Sequence, residues 1–224
     1  MFQLASSEKQ EMLHNLVTGS VYPTSPYKDP IETLKAIGMT VDEDFLILLE
    51  SEDGDQYVLE AFVNCYPSGF DTREKFGKKL RDIHTPVPGY KAKLEKSMDR
   101  FFSRLEVGRI VRRVNWSITT HTNLFSPSGN HLYEGEEIPD ASVDISQTRL
   151  RVERQTLHRL PETKALVFGF HTYLYPISDV KEEGSGEVLA EAIDGLRTGS
   201  VSQMWFYKRG VVWGKEVKEY LRGE

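Results

Sequence analysis

The sequence predicts an α+β fold built on an antiparallel sheet, and three observations support this. Two short apolar runs flank a turn-rich segment, which is typical of a β-hairpin. Two segments with helical spacing of apolar residues follow, and then three stretches with the two-residue period of strands. A chain of 224 residues with 39% hydrophobic and 28% charged residues is typical of one globular domain of ordinary size.

The first 40 residues are predicted to form a short helix and an extended arm. Residues 8–16 fit a short helical pattern, and the prolines at positions 23 and 26 end it. The chain up to Pro30 has the composition of an extended arm that wraps the domain or docks on a partner. We therefore expect residues 1–40 to form a region separate from the main domain, which we place at residues 41–177.

The main domain is predicted to begin with a hairpin. Residues 45–49 and 57–63 are rich in apolar and β-branched residues, and the segment 51–55 between them is Ser-Glu-Asp-Gly-Asp. Helical spacing follows in two places. The first set contains the apolar residues Phe76, Leu80 and Ile83 and ends at His84. The second set contains Leu94, Met98, Phe101, Phe102 and Leu105. We expect the second stripe to pack in the core or to form a wall for a flat apolar cofactor.

The second half of the chain is strand-like, with a helical C-terminal region. Residues 114–118, 150–158 and 166–174 alternate in the manner of strands, and a polar loop spans residues 126–146. In the second of these strands Leu150, Val152 and Arg154 share one face. Apolar residues at helical spacing between 188 and 221 predict two further helices. Residues 178–224 are thus expected to be a helical appendage packed on the main domain.

Composition excludes several classes of function. The net charge of −6 provides no overall positive field that would attract nucleic acid or an anionic membrane. Cys65 is the single cysteine, so an intrachain disulfide, a thiolate zinc site and a cysteine-held iron–sulfur cluster are excluded. Neither a signal peptide nor a membrane-spanning run is visible, and we expect a cytoplasmic protein.

Two of the six histidines are candidates for chemistry. His84 closes an apolar helical face just before Pro86 and Pro88, which fix the backbone that follows it. His171 lies in a strand two residues after Gly169, which leaves room for a ligand to approach. His14 and His131 are expected to be solvated, and no pair has the spacing of a zinc hydrolase or a zinc deaminase.

One arginine and a group of aromatic residues complete the candidate site. Arg154 falls on the apolar side of its predicted strand, and a buried guanidinium requires an anionic partner. Arg113 carries a similar but weaker argument. The aromatic residues Tyr90, Trp116 and Tyr173 could line a pocket that holds a small cation against their rings, although aromatic residues in strands also pack in cores.

Four segments together resemble the heme-dependent oxidative N-demethylase family. They are residues 83–90 (IHTPVPGY), 112–118 (RRVNWSI), 151–161 (RVERQTLHRLP) and 170–174 (FHTYL). The resemblance runs from residue 42 to residue 175 and implies a PAS-like antiparallel sheet with helices on one side. It also implies heme b as the cofactor, with the histidine of the first segment, His84, as axial ligand of the iron.

The resemblance also implies roles for the other candidates. Arg113, Arg154, Trp116 and Tyr90 would bind the cofactor, the arginines through its carboxylates. His171 and Tyr173 would be the catalytic residues of the distal pocket. His171 departs from the family, which more often has arginine there, and whether His84 or His171 ligates the iron is left open by the sequence.

The implied reaction is the O₂-dependent N-demethylation of a small amine, with release of formaldehyde. The chain lacks a visible nucleotide-binding motif, so the electrons would come from a separate NAD(P)H-dependent flavin or iron–sulfur reductase, as a subunit or a free protein. Two alternatives stay open: a PAS-like sensor that binds heme or a small ligand without turnover, and an oxidative enzyme that acts on a larger substrate. A homo-oligomer is also left open.

Overall fold

The computed structural model describes residues 1–6 and 11–224, which divide into two compact units at Asp44 and Phe45. The first unit contains a three-stranded antiparallel sheet and one helix. Its elements are β1 (Phe2–Ser6), β2 (Glu11–Asn15), β3 (Val21–Pro23) and α1 (Pro30–Gly38). Helix α1 begins at the Asp29 cap, whose carboxylate accepts a hydrogen bond from the Ile31 amide at 2.9 Å.

The helix expected over residues 8–16 is wrong for Glu11–Asn15, which form strand β2; Glu8, Lys9 and Gln10 lie outside the described residues. Strand β2 is the central strand, with β1 and β3 paired antiparallel on its two sides. These backbone hydrogen bonds outweigh a helical preference that is weak over so few residues. The chain then turns at Asn15, whose side-chain oxygen accepts a hydrogen bond from the Val17 amide at 3.0 Å.

The second unit is built on a five-stranded antiparallel sheet with helices on both of its faces. In spatial order its strands are β5 (Tyr57–Val63), β4 (Asp44–Glu50), β8 (Leu166–Pro176), β7 (Arg149–Arg159) and β6 (Val111–Thr119). Between β5 and β6 lie α2 (Leu80–Ile83) and α3 (Glu95–Arg104). After β8 come α4 (Ile177–Glu182), α5 (Gly186–Thr198), α6 (Met204–Tyr207) and α7 (Gly210–Arg222).

The α+β class is confirmed, as are the hairpin and the three later strands, whereas the PAS-like assignment and the boundaries at 40 and 177 stay predictions. The order of elements in the second unit is two strands, short helices, three strands and a helical end. That is the order expected from the sequence. Among the described residues, none of the helices combines the length and the apolarity needed to cross a membrane.

Two apolar cores lie on opposite faces of this sheet. On the first face, Leu157 and Phe168 pack with residues of α2, α3 and the hairpin. On the second face, Trp116 and Ile118 pack with α4, α5 and α7. Because side chains alternate along a strand, residues that differ by an odd number on β7 or β8 belong to different faces. This alternation decides which candidate residues can meet.

The two predicted helical stripes differ from expectation in extent. Helix α2 is a single turn, and Phe76 follows a separate 3₁₀ turn, Thr72–Lys75, with its own side chain exposed. Helix α3 is confirmed, and its residue Phe102 is buried in the apolar core as expected. Leu94 and Phe101, however, are 51% and 39% exposed, so the expectation that the whole stripe is core is wrong.

Candidate functional site

A cavity of about 940 Å³ opens beside His84 in the second unit. Its volume lies at the upper end of the ~300–1,000 Å³ that small-molecule and cofactor sites span. One wall comes from α2, the turn after it and the start of α3; the other comes from the loop after β6 and from α6. The lining residues include His84, Tyr90, Lys91, Glu95, Tyr133, Phe206 and Tyr207.

The His84 ring is held by two contacts. It caps the C-terminal end of α2, and its Nδ1 donates a hydrogen bond to the Leu80 carbonyl at 2.8 Å. Its plane lies against the Tyr90 ring, with the ring centres 4.6 Å apart and 14° between the planes. Since a carbonyl only accepts, the proton of the neutral ring is on Nδ1 and the lone pair is on Nε2. This is the arrangement by which proteins orient a histidine as a metal ligand.

The surroundings of His84 favour its neutral form. Burial lowers the pKa of the His84 imidazole, and the positive charges of Lys75 and Arg113 lower it further, although the Leu80 carbonyl opposes them. At neutral pH the ring therefore carries an unprotonated nitrogen that a metal ion can share.

The turn after His84 sets the position of Tyr90. Gly89 has a φ of +72°, in the left-handed region, and precedes a π-helical turn over Tyr90–Leu94. A Cβ atom at Gly89 would lie 3.1 Å from both methyl carbons of Val201. The position therefore requires glycine for its backbone and for its packing.

Tyr90 presents a buried hydroxyl that has no hydrogen-bond partner. The residue is 2% exposed and lines the cavity. Burial, with the nearby charge of Asp99, raises the pKa of Tyr90 to about 12, so the hydroxyl keeps its proton at neutral pH. A buried polar group without a partner is costly, so this hydroxyl marks a position where the packing is not optimised for stability alone.

The opposite wall rests on His131, which sequence reasoning expected to be solvated. That expectation is wrong: His131 is half-buried and stacks on Tyr207, with ring centres 4.3 Å apart and 13° between the planes. Burial lowers its pKa to about 4. The Tyr133 hydroxyl donates a hydrogen bond to the Gly69 carbonyl at 3.3 Å, which ties the loop to the body of the unit. Irregular loop positions carry no periodic signal, so the sequence alone could not reveal this wall.

Of the two candidate arginines, Arg113 lies on the side of the sheet that carries His84. Its exposed side chain donates through Nε to Gln155 Oε1 at 2.5 Å, and its charge lowers the pKa of His84. Arg113 is not among the residues that line the cavity. Its role as a cofactor-binding residue stays a prediction.

Arg154 is exposed, so the expectation that it is a buried cation is wrong. The second face of the sheet is covered by C-terminal helices near Leu150, but the cover does not include Arg154. The buried arginine of this strand is Arg151, on the opposite face and 1% exposed. Arg151 donates to the carbonyls of Leu124 and Tyr66 at 3.0 and 2.6 Å.

The remaining candidates also lie on the second face. Arg154 pairs with His171, and Val152 pairs with both Tyr173 and Trp116 across the ladders. The His171 and Tyr173 rings are 4.5 Å apart, and Trp116 lies under the Lys208 ammonium at 5.2 Å. The structure thus brings His84 together with Tyr90 and separates them from Arg154, Trp116, His171 and Tyr173.

The donor set fits a heme better than an ion held by protein ligands alone. Among the described residues no group of three or more His, Cys, Asp and Glu side chains could hold a metal ion. A porphyrin supplies most of the ligands of its iron itself and requires one oriented histidine. The neutral, stacked His84 at the wall of a large cavity meets that requirement, and Lys91 on the same wall is a candidate for the heme carboxylates.

Comparison with protein families agrees with the character of this site. The family model described as "Haem-dependent oxidative N-demethylase, alpha subunit-like" matches residues 1–218 of the 224-residue chain. The match covers both structural units.

Proposed function

Because the chain belongs to the heme-dependent oxidative N-demethylase alpha-subunit-like family, we propose that it binds heme b in the cavity beside His84 and oxidises an N-methyl amine. The observation that carries the proposal is the state of His84: its Nδ1 is committed to the Leu80 carbonyl, and its ring is neutral and stacked on Tyr90. The description of the family as "alpha subunit-like" also supports the existence of a partner protein, which would supply the electrons.

In this proposal the residues of the chain hold and shield the cofactor. His84 would ligate the iron through Nε2, and the Leu80 carbonyl would keep the ring from rotating and increase its basicity. The Tyr90 ring, stacked on the imidazole, would restrain its orientation. Phe206 and Tyr207 would exclude water from the far side of the cavity.

When bound, the heme supplies the oxygen chemistry, which the protein only positions and tunes. The overall reaction converts an N-methyl amine, O₂, two electrons and two protons into the demethylated amine, formaldehyde and water. Breaking the C–N bond leaves the methyl carbon as formaldehyde, and the second oxygen atom leaves as water. The electrons would come from an external NAD(P)H-dependent flavin or iron–sulfur reductase.

The test is spectroscopic first and chemical second. Protein produced with a heme precursor should show a Soret band with about one heme per chain by pyridine hemochrome assay, and the band should shift on reduction and on addition of CO. With an electron supply and O₂, dimethylated or monomethylated amines should yield formaldehyde. A colourless protein that also fails to take up hemin would refute the proposal. Stoichiometric heme without formaldehyde from any amine would instead support the sensor alternative.

A further inference from the structure

The positive charge of the chain is concentrated in residues 73–113, the segment that contains His84 and α3. Residues 73–113 contain 13 of the 28 Lys and Arg but only five of the 34 Asp and Glu, a net charge of +8. Since the whole chain carries −6, the other residues carry −14. A local field opposite in sign to that of the whole protein is a means of steering and orienting a charged partner.

Part of this charge is neutralised within the molecule, and part is not. Lys79 and Arg81 form ion pairs with the hairpin carboxylates, chiefly Asp55. In contrast, no ion pair among the described residues engages Lys96, Arg100 or Arg104, and all three are exposed. They recur every four residues on α3, so they form one stripe about 12 Å long on its outer face.

Two exposed apolar side chains lie beside this stripe. Leu94 and Phe101 are 51% and 39% exposed, seven residues apart and therefore on one side of the helix. Met98 and Phe102 pack in the core. Leu94 and Phe101 lie at the edge of this buried side, between it and the charged stripe. Aromatic residues and arginines are enriched in protein interfaces.

Helix α3 begins at the proposed cofactor cavity. Helix α3 continues directly from the turn Tyr90–Leu94, and Lys91 and Glu95 line the cavity. A protein bound along α3 would thus sit next to the wall that carries His84. A position next to this cavity suits a partner that delivers electrons.

We propose that the exposed side of α3, formed by the stripe Lys96, Arg100 and Arg104 and the flanking Leu94 and Phe101 (the α3 surface), docks an acidic electron-transfer protein that delivers electrons to the cavity beside His84. The inference rests on the proposed function, since it presupposes a redox group there. Acidity of the partner follows from the uncompensated cations. The exposed Leu94 and Phe101 favour a protein over a nucleic acid, whose binding would depend on phosphate contacts alone.

The first measurement is binding, which does not require heme. Titration of the full chain with an oxidised plant-type [2Fe–2S] ferredoxin, an acidic one-electron donor, should show binding that weakens with salt. The Lys96→Glu/Arg100→Glu variant should weaken it at least about tenfold at low salt. The Arg197→Glu/Lys215→Glu variant makes the same change in net charge at exposed sites of α5 and α7, which pack on the other face of the sheet, and should remain within about twofold. Phe101→Ala should weaken binding without changing its salt dependence.

The second measurement is reduction of heme-loaded protein by the reduced ferredoxin in stopped flow. The Lys96→Glu/Arg100→Glu variant should be reduced at least about tenfold more slowly at low salt, while its Soret band and its reduction by dithionite are retained. Equal binding by all the charge variants, or no binding by the wild type, would overturn the docking proposal. So would preferential binding of duplex DNA, or a dimer by sedimentation that the α3 reversal dissociates. Absence of heme would refute the proposed function instead, since the binding assay is independent of it.

Discussion

The two faces of the five-stranded sheet hold histidines in different ways. On the first face, His84 is hydrogen-bonded at one nitrogen, stacked on Tyr90 and neutral because of its burial. On the second face, His171 lies beside Tyr173 and opposite the exposed Arg154, where the C-terminal helices cover only one end of the sheet. A ligand site requires both an oriented donor and an enclosing cavity, and the first face provides both.

The difference bears on a question that the sequence left open, namely which histidine would ligate the iron. His84 precedes prolines that fix the backbone, and His171 follows a glycine that leaves space, so local sequence does not separate the two histidines. The alternation of side chains along β8 does, because it directs His171 away from the face that Phe168 shares with α2. His84 lines the cavity and His171 does not, which supports His84 as the proposed ligand.

The largest expected effect comes from removing the two histidines one at a time. His84→Ala should lose most of the bound heme, because the oriented Nε2 is the donor proposed for the iron. His171→Ala serves as the matched control and should keep full occupancy and an unchanged Soret maximum. Heme per chain by pyridine hemochrome assay is the measurement. Retained heme in His84→Ala, with loss in His171→Ala, would reverse the assignment of the two faces.

Arg154 shows how far a strand pattern can be taken. The register that places Arg154 on one face with Leu150 and Val152 is confirmed by the ladder. The expected burial of Arg154 is nevertheless wrong. Burial depends on which part of that face the C-terminal helices cover, and a strand pattern contains no information about this. Arg151 was missed for the related reason that its partners include backbone carbonyls of distant loops, at Tyr66 and Leu124.

This contrast predicts unequal costs of truncation on one strand. Arg151→Ala should lower the free energy of unfolding by about 2–4 kcal/mol, because it leaves two carbonyls without their donor and a cavity in the core. Arg154→Ala, at an exposed position, should cost at most about 1 kcal/mol. Urea unfolding followed by circular dichroism measures both. Equal losses would mean that burial does not distinguish the two faces.

The far wall of the cavity shows a second limit of sequence reasoning. His131 and Tyr133 lie in an irregular loop and contact Gly69 and Tyr207, which are about 60 to 75 residues away along the chain. Propensity and periodicity describe neighbours in sequence, so they have no access to such contacts. The wall that carries His84 and Tyr90 was easier to predict, because the Pro-Val-Pro-Gly turn fixes the backbone locally around these two residues.

Protonation of His131 should open the far wall in acid. Its pKa of about 4 in the folded state lies below the value of about 6.5 that is usual for histidine, so the unfolded state takes up the proton first as the pH falls. Stability should be constant above pH 6.5 and decline towards pH 4, by roughly 2 kcal/mol at pH 5. Thermal unfolding of wild type and His131→Phe across this range measures the effect. A variant with the same decline would assign the acid sensitivity to other groups.

The smallest expected effect concerns Gly89, in the turn that positions Tyr90. Gly77 serves as its matched control. Gly89 and Gly77 both have a φ of +72°, but only at Gly89 would a Cβ atom meet a neighbour, Val201. Each alanine variant should lose about 1 kcal/mol from the left-handed backbone, and Gly89→Ala about 1 kcal/mol more from the contact. Because the contact displaces the turn that positions Tyr90, only Gly89→Ala should also weaken hemin binding. The free energies of unfolding and the hemin titrations of the two variants are the measurement. If Gly77→Ala lost as much in both, the Val201 contact would have no part in positioning the wall.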